Sequence, residues 1–173
     1  MNQRFFLLFV LSIILLTACN SLGVFDQNTD IKNKQWSYDQ PLLFEVAIAD
    51  TAQQYNIYIN LRHTNNYQYS NMWVLMKTTL PNGKTLDKRV ELPLADKQGK
   101  WYGSGMGDII TQQVLIQPNA LFPMVGKYQF EITQDMRLNP LPDVISAGLR
   151  IELATEKKKK APENNTPPIS KPK

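Results

Sequence analysis

Tyr55-Asn56-Ile57-Tyr58-Ile59-Asn60-Leu61-Arg62 alternates apolar residues with polar or amphipathic ones. Successive side chains of a strand point to opposite faces, so this spacing predicts a half-buried strand. Tyr55, Ile57, Ile59 and Leu61 then face a core, and Asn56, Tyr58, Asn60 and Arg62 face outward. The same period of two continues in both directions along the chain. Upstream, Leu42, Phe44, Val46 and Ile48 alternate with Glu45 and small residues. Downstream, Met72 to Leu80 is nearly continuously apolar and stops at Pro81-Asn82-Gly83, where proline presets φ and glycine accepts positive φ. Leu86, Lys88, Val90 and Leu92 form the return strand. Asp96-Lys97-Gln98-Gly99 is a second turn, leading into Lys100-Trp101-Tyr102 as a further strand. Ile110 to Gln117 follows, with Val114 and Ile116 on one face, and Gly126 precedes Tyr128, Phe130 and Ile132. The final strand turns Ile145, Ala147, Leu149, Ile151 and Leu153 inward and Arg150 and Glu152 outward.

About eight one-faced strands and no amphipathic helix define an all-β chain. Such strands bury their apolar faces by stacking two sheets, which predicts an antiparallel β-sandwich, immunoglobulin-like or jelly-roll-like, over residues 36–154. An open eight-stranded barrel is the alternative. Self-similarity of the kind that marks propellers or solenoids is missing.

The N-terminal residues carry the address. Met1 to Arg4 is a short head with one positive charge, and Phe5 to Leu16 is an apolar run broken only by Ser12. A membrane-spanning helix needs roughly 20 apolar residues, so the run has the anatomy of a secretory signal rather than a lasting span. Leu16-Thr17-Ala18-Cys19 resembles a bacterial lipobox, in which the cysteine thiol takes a diacylglyceryl group and cleavage falls just before it. Residues 1–18 are therefore read as a lipoprotein signal peptide, and Cys19 as the lipidated residue. Two or more acyl chains hold a protein stably on a membrane. Asn20 and Ser21 lack the acidic character of a retention signal, which by resemblance to sorting rules points to the outer membrane, facing the periplasm. Residues 19–35 read as a lipid-anchored tether, with one docking element around Val24-Phe25.

The chain has 173 residues and a net charge of +4, unevenly distributed. From Asn20 to Thr155 there are 12 Lys and Arg against 13 Asp and Glu, so the folded part is near neutral and has no basic nucleic-acid-binding face. Residues 155–173 hold Lys157-Lys158-Lys159-Lys160 and Pro162, Pro167, Pro168 and Pro172. Like charges and a lack of apolar residues predict a disordered tail. It reads either as a solubilising extension or as a weak electrostatic contact with phosphate-bearing lipid or an anionic wall polymer.

Residues for chemistry are sparse. A single cysteine and a single histidine exclude an ordinary Cys/His zinc site and any disulfide, so neither metal nor cofactor is expected. Any Ser-His-Asp or Cys-His system would need His63, which sits beside the polar Thr64-Asn65-Asn66 turn and reads as structural. Gly103-Ser104-Gly105-Met106-Gly107-Asp108 matches no phosphate-binding spacing and reads as a bulged connection between strands. Tyr67, Tyr69, Trp73, Trp101 and Tyr102 suit a stacking platform for a glycan, although aromatics are also ordinary strand and core residues. Arg62, Arg137 and Arg150 lie in or near strand ends, where they suit pairing with carboxylates.

Several ordered segments together resemble the gliding-motility lipoprotein family GldH. They are Trp36, Tyr55 to Arg62, Tyr67 to Asn71, Leu80-Pro81-Asn82-Gly83, Gly99 to Gly105, Phe122-Pro123, Gly126-Lys127-Tyr128 and Gln134-Asp135-Met136-Arg137. The resemblance implies a non-enzymatic envelope lipoprotein needed for surface gliding, which in such bacteria is coupled to secretion of the moving adhesins. It carries over no catalytic residue. It does carry over the lipidated cysteine, and Cys19 matches it. In that lineage Asp50-Thr51-Ala52 also fits a short O-glycosylation pattern, with Thr51 the acceptor. Three readings are thus in play: an interaction module binding other envelope proteins of the motility and secretion apparatus, a glycan- or peptidoglycan-binding lipoprotein, and an enzyme with a polar cleft at His63 or a close carboxylate pair.

Overall fold

The computed structural model describes residues 23–154; the signal sequence, Cys19 and the basic tail lie outside the described residues. The elements are β1 (Gly23–Asp30), β2 (Gln35–Trp36), β3 (Leu42–Ile48), β4 (Tyr55–Thr64), β5 (Asn71–Thr79), β6 (Thr85–Pro93), β7 (Ser104–Met106), β8 (Ile109–Ala120), β9 (Gly126–Gln134), β10 (Leu141–Pro142) and β11 (Val144–Leu153), with a 3-10 turn at Lys32–Lys34. One sheet has the order β1-β11-β4-β8-β7, the other β3-β9-β5-β6, and β2 pairs with β10. All pairings are antiparallel.

Period-two patterning becomes burial. In β3, Leu42, Phe44, Val46 and Ile48 are buried while Leu43, Glu45 and Ala47 are exposed. In β4, Tyr55, Ile57, Ile59 and Leu61 are buried. The two inner faces close on one core, in which Ile59, Leu61, Leu149 and Ile151 of the first sheet share a cluster with Val74, Phe130 and Ile132 of the second. Each such side chain contributes about 1.5–3 kcal/mol by leaving water. At one flank β1 lies over β3, with Phe25 edge-on to Phe44 at 6.2 Å. At the other flank Gln112 Nε2 of β8 donates to Pro93 O of β6 at 2.9 Å. The β-sandwich expectation holds.

Four local readings are corrected. Residues 23–30 do not form a tether: they are the edge strand β1, paired from Gly23 opposite Glu152 to Asp30 opposite Ser146. Seven of its eight residues are exposed, so backbone pairing and the inward Phe25 hold it, and no alternation marks it. Lys100-Trp101-Tyr102 is not a strand; Trp101 makes only an isolated bridge to Ala95. The glycine-rich segment expected as a connection contains the strand instead, because Ser104–Met106 folds back on Ile109–Thr111. A Cβ on Gly103 or Gly105 would stand 2.6 or 2.7 Å from the carbonyl oxygens of Thr111 and Ile109, so close backbone approach accounts for both glycines. In β11 a register shift between Val144 and Ser146 buries both and leaves Ile145 partly exposed, contrary to simple alternation.

The chain enters and leaves at one pole. Gly23 pairs with Glu152, Leu153 with Tyr55, Tyr55 with Ala120, and Ile48 with Gly126. The connections 49–54, 80–84 and 121–125 therefore cap this proximal pole, where Ala154 N also donates to Gln54 O at 2.8 Å. The opposite, distal pole carries the connections 31–34, 65–70, 94–103 and 135–140.

Candidate functional site

At the distal pole two aromatic groups adjoin. The inner one is built on His63, which β4 points into the sandwich with no exposure. Trp101 stands edge-on to it at 4.6 Å and Tyr67 tilts against it at 5.3 Å. Trp101 is pinned by its Nε1–H donating to Asn65 Oδ1 at 2.7 Å, and Tyr67 by its hydroxyl donating to Asn71 O at 3.1 Å. His63 Nδ1 lies 2.9 Å from Thr64 O, and since a carbonyl can only accept, Nδ1 is the donor. Nε2 is buried without a hydrogen-bond partner among the described residues. Burial lowers the imidazole pKa, outweighing the Thr64 carbonyl and Asp143, which raise it. Burial likewise drives the Tyr67 phenol pKa strongly upward. The rings around His63 form a packed cap rather than a polar cleft, which fits a structural histidine.

Tyr69 joins this cap to the outer face of the second sheet, standing edge-on to Tyr67 at 5.6 Å. There a cleft of about 400 Å³ is lined by Tyr69, Trp73, Arg89, Asp135, Met136 and Arg137. β5 buries Met72 and Val74, so Trp73 between them faces out. The hairpin register sets Trp73 opposite Glu91 and Leu75 opposite Arg89, which makes Arg89 a diagonal neighbour of Trp73. The Arg89 guanidinium lies 4.1 Å from the Trp73 ring centre and also pairs with the Asp135 carboxylate.

The third wall is the segment Gln134-Asp135-Met136-Arg137, held from below. Buried Gln134 donates from Nε2 to Trp36 O at 3.4 Å and Leu138 O at 3.2 Å, and its Oε1 accepts from Met136 N at 2.8 Å. Asp135 N donates to Trp73 O at 2.8 Å, and the Tyr38 hydroxyl donates to Met136 O. Fully buried Trp36 is itself fixed by Nε1–H donating to Gln40 O at 3.1 Å. An amide and an indole in the interior thus position Asp135 and Arg137 at the surface, beside the Arg89 that the β5–β6 register supplies. The arrangement suits a partner that offers both carboxylate and cationic groups next to apolar surface.

The residues suggested for glycan stacking come to one pole but do not form a flat platform. Tyr67 is buried, Trp101 packs on His63, Trp73 lies under Arg89, and Tyr67 is inclined by 69° to Tyr69 and by 49° to Trp101. Tyr69 and Tyr102 are exposed. Of the arginines singled out by position, Arg137 lines the cleft. Arg150 instead spans the outer face of the first sheet, pairing with Asp26 at 2.8 Å and Glu152 at 2.9 Å. Glu152 also accepts from the Tyr58 hydroxyl at 2.7 Å, and this bond, with Arg150 helping, lowers its pKa. Arg62 is exposed. Sequence reasoning missed Arg89 and Asp135; the β5–β6 hairpin register was the signal that places Arg89 beside Trp73. Thr51 lies exposed at the proximal pole, where Asp50 Oδ1 accepts from Ala52 N at 2.8 Å. Among the described residues no three of His, Cys, Asp and Glu gather as metal ligands, and no helix is long and apolar enough to cross a membrane.

Residues 23–151 match the family described as GldH lipoprotein. A gliding motility lipoprotein GldH homolog of Christiangramia forsetii is 31% identical over 152 residues, covering 84% of this chain and 93% of that protein. Gliding motility lipoprotein GldH of Flavobacterium johnsoniae is 29% identical over 150 residues, covering 83% of this chain and 92% of that protein. No solved structure matches the chain. The match takes in the strands of both sheets and the cleft at the distal pole, and the chain belongs to the GldH family of gliding-motility lipoproteins.

Proposed function

We propose that this protein is a non-enzymatic part of the gliding-motility apparatus, anchored through acyl chains on Cys19 at the periplasmic face of the outer membrane. Its distal cleft binds another envelope protein of the motility machinery, and through it the protein supports secretion of the surface adhesins. The polarity of the sandwich carries this reading. Cys19 precedes Gly23 by four residues, a reach of at most about 14 Å. The nine residues of β5 separate the poles by about 30 Å. A bilayer holding the anchor therefore meets the proximal pole, and the Tyr69–Trp73–Arg89–Asp135–Arg137 cleft faces away from it.

Cys19→Ala should move the protein from the membrane to the soluble fraction; retention on the membrane refutes the anchor. Crosslinking in intact envelopes should recover motility or secretion components with the native protein and lose them with Trp73→Ala/Arg89→Ala. Equal recovery from both refutes the cleft as the contact.

A glycan- or peptidoglycan-binding role has one observation in its favour, the union of aromatic, acidic and guanidinium groups in one cleft. It requires Arg89 to leave the face of Trp73. Titration with defined peptidoglycan fragments, following Trp fluorescence, separates it from the protein-binding reading.

A further inference from the structure

The connection from β8 to β9, Leu121-Phe122-Pro123-Met124-Val125, crosses the proximal pole and contains no charge or polar side chain. Its alternate residues have opposite fates. Phe122 is a plug, edge-on to Tyr128 at 4.8 Å, to Tyr55 at 5.2 Å and to Phe130 at 6.5 Å. The Tyr128 hydroxyl donates to Met124 O at 2.9 Å and lies 3.3 Å from Met124 N. So fixed, the loop holds Leu121 at 62% and Val125 at 59% exposure, with Pro123 exposed between them. Val24 on β1 and Leu86 on β6 are exposed as well, at 41% and 52%. A loop needing only to close the sandwich would turn polar residues to water, as the exposed Asn82 and Lys84 do beside it.

We propose that the Leu121–Val125 loop is a second membrane contact, seated in the headgroup and upper acyl region of the bilayer that carries the anchor. The proposal rests on the Cys19 anchor reading and extends it from a tether to a fixed orientation. Three features identify the occupant as a lipid surface. β1 begins at this pole with Gly23, four residues after Cys19. Three strand spacings separate β1 from β8, about 14 Å. That equals the reach of residues 19–23, so the bilayer and the loop come within touching distance. Finally, β11 ends at this pole with Leu153, and the run Lys157 to Lys160, whose charge complements anionic headgroups, follows it by only four residues in the sequence.

The test uses the full mature chain with p-benzoylphenylalanine replacing Leu121, Val125 or, at the distal pole, Tyr102. One arm is the native lipoprotein in cell envelopes, with the mass of its N-terminal peptide reporting acylation. The other couples the Cys19 thiol of purified chain to a maleimide lipid in phosphatidylethanolamine/phosphatidylglycerol vesicles, which enforces the anchor whatever the cell does. Irradiation at positions 121 and 125 should give about tenfold more phospholipid adduct than at position 102 in both arms, as for side chains within 5–10 Å of the acyl boundary. Equal adduct at all three positions on the vesicles, or adducts at 121 and 125 made with protein instead of lipid, overturns the loop contact. Lipid adducts on vesicles together with an unmodified Cys19 in cells overturn the anchor and leave the loop's affinity for lipid standing. Leu121→Asp/Val125→Asp, which leaves the Phe122 plug in place, should abolish the vesicle adduct from a probe replacing Pro123.

Discussion

Arg89 lies against the outward face of Trp73, its guanidinium carbon 4.1 Å from the ring centre, while the same group pairs with Asp135. Both members of that ion pair are about half exposed, at 54% and 44%. Exposed contacts of either kind contribute about 0–1 kcal/mol to stability. Arg89→Ala should therefore lower unfolding free energy by about 1 kcal/mol or less in a urea titration. In a binding interface, Trp and Arg at a desolvated centre are worth about 2 kcal/mol or more, a loss of roughly thirtyfold in affinity. Arg89→Ala that folds normally should thus still lose its envelope crosslinks. A variant with native crosslinks and several kcal/mol less stability would assign the pair to folding instead.

Gly148 of β11 sits opposite Asn28 of β1. A Cβ at position 148 would stand 2.2 Å from Asn28 Oδ1 and 2.3 Å from Gln27 O, and the second is backbone that cannot swing away. Gly148→Ala should push β1 off the sheet edge, cost about 1–3 kcal/mol and raise hydrogen exchange through residues 23–30. Gly23→Ala meets nothing within 4 Å and serves as the matched control. Unchanged exchange in residues 23–30 of the Gly148 variant would mean that β1 is held by something other than this close pairing.

The contrast between β4 and β1 shows what the sequence makes legible. Tyr55 to Arg62 reads as a strand because one of its faces lies in the core, and the same holds for β3, β5, β6, β8, β9 and β11. β1 escapes because it is held by the backbone of β11, the charge of Arg150 and the single inward Phe25, none of which leaves a period in the sequence. Ser104–Met106 escapes for a related reason: glycine is selected there by the carbonyls of Thr111 and Ile109, and small residues carry no hydrophobic alternation. At the distal pole the aromatics could be named from the chain, but their inclination and the Arg89 cap are products of packing. Gln134-Asp135-Met136-Arg137 stood out as a segment, yet its role depends on a buried Gln134 meeting the carbonyls of Trp36 and Leu138.

Thr51 should carry the modification that its tripeptide suggests. Its side chain is exposed, and the bond from Ala52 N to Asp50 Oδ1 holds the segment in a turn that a transferase can reach. Intact mass of the protein purified from its own host should fall by one glycan in Thr51→Ala, with stability unchanged to within about 0.5 kcal/mol, as at other surface sites. Identical masses, after the substitution itself is allowed for, dismiss the site.

His63 makes stability depend on pH in a window of its own. Burial depresses its folded pKa below the ordinary 6.5. As pH falls through 6.5 the unfolded chain takes up a proton that the folded chain refuses. The unfolded state then binds more protons, so stability rises with pH across this interval and is lost on acidification, by at most about 1.4 kcal/mol per pH unit. The loss begins near pH 6.5 and ends once pH has passed the folded value. Thermal unfolding between pH 7.5 and 5.5, above the range in which exposed carboxylates titrate, should show a falling midpoint for the native protein. His63→Phe keeps the ring against Trp101 and removes both the titrating group and the unpartnered Nε2, so its midpoint should stay level over the same interval. A native profile that is flat from pH 7.5 to 5.5 would mean that the imidazole reaches water or finds a proton acceptor, against a ring buried under Trp101 and Tyr67.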